Sequence, residues 1–143
     1  MTAPQALIAQ HIGQAEKAMR TVLDRLLAET GTEFVAWVIM SVLAANGPTM
    51  EADQLVGRVV SGQKIAAEHV QAIVDALASR GLLAPKDGRL GLTTDGEALH
   101  GRLRDGIGQI TERLYGGIPT PDLLTTQRVL AIVTQRANDE LGS

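Results

Sequence analysis

The chain has no cysteine, which excludes disulfide scaffolds, thiolate metal sites and a thiol nucleophile. Aromatic side chains account for only 2% of its 143 residues (Phe34, Trp37 and Tyr115), and all-β sandwiches rarely manage with so few. A long hydrophobic run is also lacking. The longest, Phe34 to Ala45, is twelve residues and includes Ser41, whereas a membrane span needs about 20. The first twenty residues lack a basic stretch followed by an apolar one and a small-residue cleavage site, so no secretory leader is read there and a cytoplasmic protein without membrane contact is expected. Charge of one sign is absent as well. Thirteen basic residues against sixteen acidic ones leave a formal charge of −3, which rules out a polybasic, histone-like chain.

What is present is apolar and mostly aliphatic. Hydrophobic residues make up 45% of the chain, chiefly Ala, Leu, Val and Ile, which suit close helix packing. A chain of this length can build one core, and we read residues 1–143 as one mainly α domain with a small β element. Ile8, Ile12, Ala15, Met19, Val22 and Leu26 recur at alternating spacings of four and three, a seam of period 3.5 that predicts a helix over 4–28 packing lengthwise on another. Gly31 stops it. Residues 32–45 are apolar nearly all round and predict a central buried helix, broken by Asn46-Gly47-Pro48. Two shorter helices follow, over 50–60 and 65–80, separated at Ser61-Gly62, with Gly81 as a left-handed cap of the second. Arg80 is expected to cap the C-terminal carbonyls of its own helix.

Leu82-Leu83-Ala84 and Arg89-Leu90-Gly91-Leu92 are short extended segments joined by Pro85-Lys86-Asp87-Gly88, and Asp-Gly between apolar runs signals a hairpin. Thr94-x-x-Glu97 fits a capping box for a helix running to about Tyr115. Gly116-Gly117 ends that helix, and Thr120-Pro121-Asp122 opens a last one, with Thr120 as cap. Leu123, Leu130, Val133, Ala137 and Leu141 form its apolar side.

Catalysis is not indicated. His11, His69 and His100 fall on three different helices with no His, Asp or Glu four residues further on, and no zinc-protease signature, nucleophile elbow or phosphate-cradling glycine loop is present. We expect neither an enzyme nor a metal or cofactor.

Helix, turn, helix and a two-stranded hairpin between long helices describe a winged helix-turn-helix lobe over 47–93. The second helix of the pair, 65–80, is then the one that enters a major groove. Val70-Gln71-Ala72-Ile73-Val74-Asp75-Ala76-Leu77-Ala78-Ser79-Arg80-Gly81-Leu82-Leu83 resembles the recognition helix and following strand of the multiple-antibiotic-resistance repressor (MarR) family. Leu92-Thr93-Thr94-Asp95-Gly96 is similar to that family's Leu-Thr-x-x-Gly lead-in to the helix after the wing. The resemblance covers nearly the whole chain. It implies a homodimer clasped through its terminal helices (4–28 and 95–141), binding a pseudo-palindromic double-stranded DNA operator. It further implies a ligand-relieved repressor, with a small-molecule effector held between the dimer helices and the winged lobe. Independently, two long amphipathic terminal helices offer more apolar surface than the 47–93 lobe covers.

Within the lobe, Arg58, Lys64, Arg80, Lys86 and Arg89 are matched by Glu51, Asp53, Glu68, Asp75 and Asp87, so the reading head is neutral. Ala66-Ala67-Glu68-His69 stands where the family commonly has Ser-Arg-Pro-Thr, and Ala72 and Ala76 stand where arginines are common. The candidate DNA-binding residues are Gln63, Lys64, His69 and Gln71 in the first turns of the recognition helix, Lys86 and Arg89 in the wing, and Arg58 on a phosphate. Gln suits adenine and Lys guanine. Trp37, Met40 and His11 lie near the implied effector crevice, but their spacing is that of core and seam, and no effector residue is assigned. A second reading, prompted by the neutral head, is a winged helix that has lost DNA binding and acts as a protein–protein adaptor.

Overall fold

Pro4 sits at the first helical position, where its missing N–H costs nothing, and opens α1 (Pro4–Ala28). The computed structural model describes residues 3–142. After α1 come α2 (Phe34–Ala45), β1 (Met50–Glu51), α3 (Ala52–Gln63), α4 (Ala67–Ser79), β2 (Leu83–Lys86), β3 (Arg89–Leu92), α5 (Thr94–Tyr115) and α6 (Thr120–Gly142). Two compact units result, one ending at Ile107 and the other beginning at Gly108, with α5 running through the boundary.

The core of the first unit is aliphatic. Helix α2 contributes Ala36, Ile39, Met40 and Leu43, all buried, and packs against α3, α4 and β3. Leu55 and Val59 of α3, Val70, Ile73, Val74 and Leu77 of α4, and Leu103 of α5 complete it, with Leu27 from the end of α1, Met50 of β1, Leu82 just before β2 and Leu83 at its start. Each fully buried Leu or Ile stabilises the fold by roughly 1.5–3 kcal/mol. Phe34 carries the Arg20 guanidinium on its ring face at 3.5 Å. Met40, the residue read as flanking a crevice, is wholly inside the core.

Several boundaries differ from the sequence expectation. Met50–Glu51 is not the start of a helix but an edge strand, pairing Met50 with Leu90 and Glu51 with Arg89 in a three-stranded antiparallel sheet of order β1-β3-β2. No two-residue strand has a periodicity of its own, and this one exists because β3 offers it a ladder. Helix α3 runs through Ser61-Gly62 and ends at Lys64, which takes the left-handed conformation (φ 57°) and donates its N–H to the Val60 carbonyl. The recognition helix therefore begins at Ala67, two residues later than expected. Strand β2 extends to Lys86, so the wing turn is Asp87-Gly88 alone, with φ of 53° and 78°, the pair of positive values a type I′ turn requires.

Helix α4 ends in a Schellman motif. The Leu82 N–H bonds the Leu77 carbonyl and the Gly81 N–H bonds that of Ala78, with Gly81 at φ 76°, as the Arg80-Gly81 pattern predicts. The cap of α5 is Thr93 rather than Thr94: its Oγ1 accepts the Gly96 N–H at 3.0 Å. In the second unit Gly116-Gly117 ends α5. Helix α6 opens one residue early, the Pro119 carbonyl accepting the N–H groups of Asp122 and Leu123. The α5 cap is misplaced by one because the adjacent threonines 93 and 94 look equivalent in sequence, and the α6 start because a backbone carbonyl rather than a side-chain oxygen begins the helix. None of the described residues of α6 is buried.

Candidate nucleic-acid interface

Helix α4 turns Val70, Ile73, Val74 and Leu77 to the core, so its opposite side is solvent-facing. Glu68, Ala72, Asp75 and Ser79, spaced four, three and four apart, occupy that outer ridge and are all exposed. His69 and Gln71 flank it and are exposed too. The Gln71 amide is not free: Nε2 donates to Asp75 Oδ1 at 3.0 Å, one turn on. No Lys or Arg lies within α4.

Gln63 and Lys64 are not on this helix. Gln63 is the last residue of α3, partly covered, and Lys64 is its cap. The expectation put both in the first turns of the recognition helix because Ser61-Gly62 looked like the break. Lys64 also folds back, its Nζ donating to the Ser61 carbonyl at 2.7 Å.

The arginines of the lobe are likewise engaged. Arg58 Nη1 donates to Asn46 Oδ1 at 3.0 Å, and Asn46 Nδ2 donates to the Val42 carbonyl at the end of α2. Arg80 does not cap its own helix. Its Nη1 and Nη2 reach the carbonyls of Gly31 and Thr30 at 3.2 and 3.1 Å, tying the end of α4 to the turn that follows α1. Arg89 lies on the central strand of the sheet and donates through Nε to Thr49 Oγ1 (2.9 Å) and through Nη2 to the Thr49 carbonyl (3.1 Å). Lys86, directly opposite Arg89 on β2, is exposed. The structure thus groups His69 and Gln71 on one helix and Lys86 with Arg89 on one sheet face, and separates Gln63, Lys64 and Arg58 onto α3.

Two features escape sequence reasoning. Thr49, which organises Arg89, precedes a strand that has no local signature. His100 of α5 stacks on Trp37 of α2, and its Nε2 lies 3.4 Å from Ser41 Oγ. Fifty-nine residues separate Ser41 from His100, so no local spacing announces the cluster. Burial pushes the His100 imidazole below its ordinary value, and the Arg104 guanidinium lowers it further. A cleft of about 370 Å³ opens beside it, lined among others by Leu43, Pro48, Leu92, Glu97, His100 and Arg104. His11 is exposed on α1. Among the described residues no three His, Asp or Glu side chains gather as a metal site, and no helix is long and apolar enough to cross a membrane.

The Leu92-to-Gly96 motif has a physical account. Thr93 Oγ1 caps α5 and donates to the Gly81 carbonyl at 2.6 Å, while the Thr93 N–H bonds the Leu82 carbonyl. Gly96 is there because a Cβ would collide with that same Leu82 carbonyl. The motif fastens the end of α4 to the start of α5.

Paired helices α3 and α4 with the three-stranded wing define a winged helix-turn-helix protein. No protein-family model matches the sequence, and no curated protein matches it. Solved structures do match. NadR in complex with 4-hydroxyphenylacetate is 22% identical over 92% of this chain and 98% of that one, with a TM-score of 0.74. A MarR-family transcriptional regulator from Rhodococcus sp. RHA1 is 15% identical over 93% and 96%, with a TM-score of 0.75. Bordetella bronchiseptica BpsR, whose DNA binding is regulated by 6-hydroxynicotinic acid, is 18% identical over 94% and 97%, with a TM-score of 0.73. The chain has the winged-helix fold of MarR-family regulators, over nearly its whole length.

Proposed function

We propose that the chain is a MarR-type transcriptional regulator, not an enzyme. It binds double-stranded DNA as a homodimer, presents α4 of each subunit to successive major grooves of a pseudo-palindromic operator, and acts as a repressor in the cytoplasm. The observation that carries this reading is the uncovered outer side of α4, held at a fixed attitude by the Arg80 and Thr93 links at its C-terminal end. The proposed contacts are His69 and Gln71 to base edges, with Lys86 and Arg89 from the wing on the backbone. Arg58 and Lys64 border the helix pair and serve phosphates, and Gln63 stands at their margin.

The homodimer is supported by apolar side chains on the terminal helices. Leu7, Ile8 and Ile12 of α1 and Leu124, Leu130, Val133 and Leu141 of α6 are exposed, large apolar side chains of the kind an interaction surface carries. The relatives in fold that carry or respond to small aromatic acids support a small-molecule effector. The cleft bordered by His100 and Arg104 is our candidate for it, and within pocket range for such a ligand. Titration with 4-hydroxyphenylacetate, followed by Trp37 fluorescence, tests that assignment: a saturable change supports it and a flat response removes it.

A salt titration of binding to DNA from upstream of the protein's own gene tests the main reading. Affinity should fall steeply with salt, by roughly an order of magnitude per few phosphate contacts between low and moderate ionic strength. One observation favours a second reading, the adaptor without DNA binding: α4 carries Glu68 and Asp75 and no Lys or Arg. Absence of binding at low salt selects it.

A further inference from the structure

Glu51, Arg89 and Lys86 form a row across the three strands of the wing. Glu51 faces Arg89 in the β1–β3 ladder, and Lys86 faces Arg89 in the β3–β2 ladder. Directly opposed residues of antiparallel strands point to the same side, so one carboxylate and two cations share a sheet face, and all three are exposed. Charge alone would close Arg89 onto Glu51 and cancel it. The guanidinium instead turns to Thr49, whose hydroxyl and carbonyl oxygens accept from Nε and Nη2 at 2.9 and 3.1 Å. Among the described residues no ion pair joins Arg89 to Glu51.

We propose that Thr49 is a positioning residue that withholds Arg89 from Glu51 and presents it to a phosphodiester of the DNA backbone. The proposal rests on the DNA-binding reading above. A guanidinium has five N–H donors, and Thr49 occupies one on Nε and one on Nη2, which leaves three, both on Nη1 and the second on Nη2, for phosphate oxygens. A side chain held in place beforehand loses less rotamer freedom on binding. That matters most in a reading head whose cations and carboxylates are equal in number, because each phosphate neutralised is then a large share of the affinity. Glu51 is the alternative partner that makes the arrangement two-way: without the Thr49 hydroxyl the carboxylate captures the guanidinium.

The test uses the full chain and a pool of random-sequence duplexes of about 30 base pairs, since phosphate contacts are independent of sequence. Thr49→Val should weaken binding roughly five- to tenfold near 0.1 M salt and reduce the slope of log affinity against log salt by about 0.9 per subunit. Thr49→Ser keeps the hydroxyl and should bind as the unaltered chain does. Adding Glu51→Gln to Thr49→Val should restore most of the affinity and the salt slope, which repair of a purely structural defect would not do. In an Arg89→Ala background Thr49→Val should have no further effect. The inference is overturned if Arg89→Ala weakens binding while Thr49→Val does not, or if Glu51→Gln fails to rescue. If the unaltered chain ignores the pool even at low salt, the DNA-binding reading falls and takes this inference with it, an outcome recognisable because no variant then differs from any other.

Discussion

The imidazole of His100 lies flat against the indole of Trp37, with ring centroids 4.8 Å apart and planes inclined by 13°. The contact joins α5, which leads away from the wing, to α2 at the centre of the core. Trp37 is the chain's single tryptophan, so the indole emission comes from this site alone.

The folded environment holds His100 neutral, below its ordinary value near 6.5, through burial first and Arg104 second. Unfolded, the same side chain takes up its proton near pH 6.5. Its contribution to stability is therefore complete above about pH 6.5 and is lost as pH falls from there through the lower folded value. Denaturant titrations between pH 7.5 and 5 should show the unaltered chain losing more stability than His100→Gln over that window. Trp37 emission should change with acidification in the unaltered chain and stay level in the variant. Parallel profiles for the two proteins would contradict this.

Thr93 makes four bonds at the junction of α4, the wing and α5, two through its hydroxyl and two through its backbone. Replacing it with valine removes the cap and the bond to Gly81 and should cost about 1–2 kcal/mol. Thermal melts followed by circular dichroism will measure it, with Thr94→Val as control. That control should melt within about 0.5 kcal/mol of the unaltered chain, because Thr94 lies inside the helix.

Gly96 has no room for a methyl group, since the Leu82 carbonyl occupies its place. Alanine there must push α5 away from the end of β2's lead-in, an overpacking that typically costs 1–3 kcal/mol. By contrast Gly101→Ala, where a Cβ meets nothing nearby, should stabilise α5 by roughly 0.5–1 kcal/mol. Opposite shifts in melting temperature for the two substitutions are expected, and equal ones would refute the packing described.

Ile8 on α1 and Leu130 on α6 are 50% and 40% exposed, and a second copy is what we expect to cover them. Sedimentation should find a species of twice the 15.1 kDa chain mass. Ile8→Glu and Leu130→Glu should each shift it toward the monomer by burying a charge at the contact. A monomer in the unaltered protein would dismiss the homodimer.

Much of the fold was legible in the residue pattern. The Asp87-Gly88 turn, the Gly81 cap, the apolar all-round character of Phe34–Ala45 and the amphipathic stripe of α4 are local properties, written in consecutive residues. The candidate site was legible only by residue type. Arg80 and Arg89 were visible as cations, but nothing near them in the chain names Thr30, Gly31 or Thr49 as their partners. Ser61-Gly62 looks the better break by composition, yet a left-handed lysine at position 64 is what ends α3.

The division follows from the range of the forces involved. Helix periodicity, turn chemistry and capping act over a few residues, so the amino-acid order by itself determined that this chain is mainly helical with one small wing. Hydrogen bonds such as those of Arg80 to Thr30 and Gly31, and ring stacking such as that of His100 on Trp37, depend on segments some fifty or sixty residues apart being brought within 4–5 Å. Only the packed core does that, and it alone decided which cations are tethered and which strand edges the sheet.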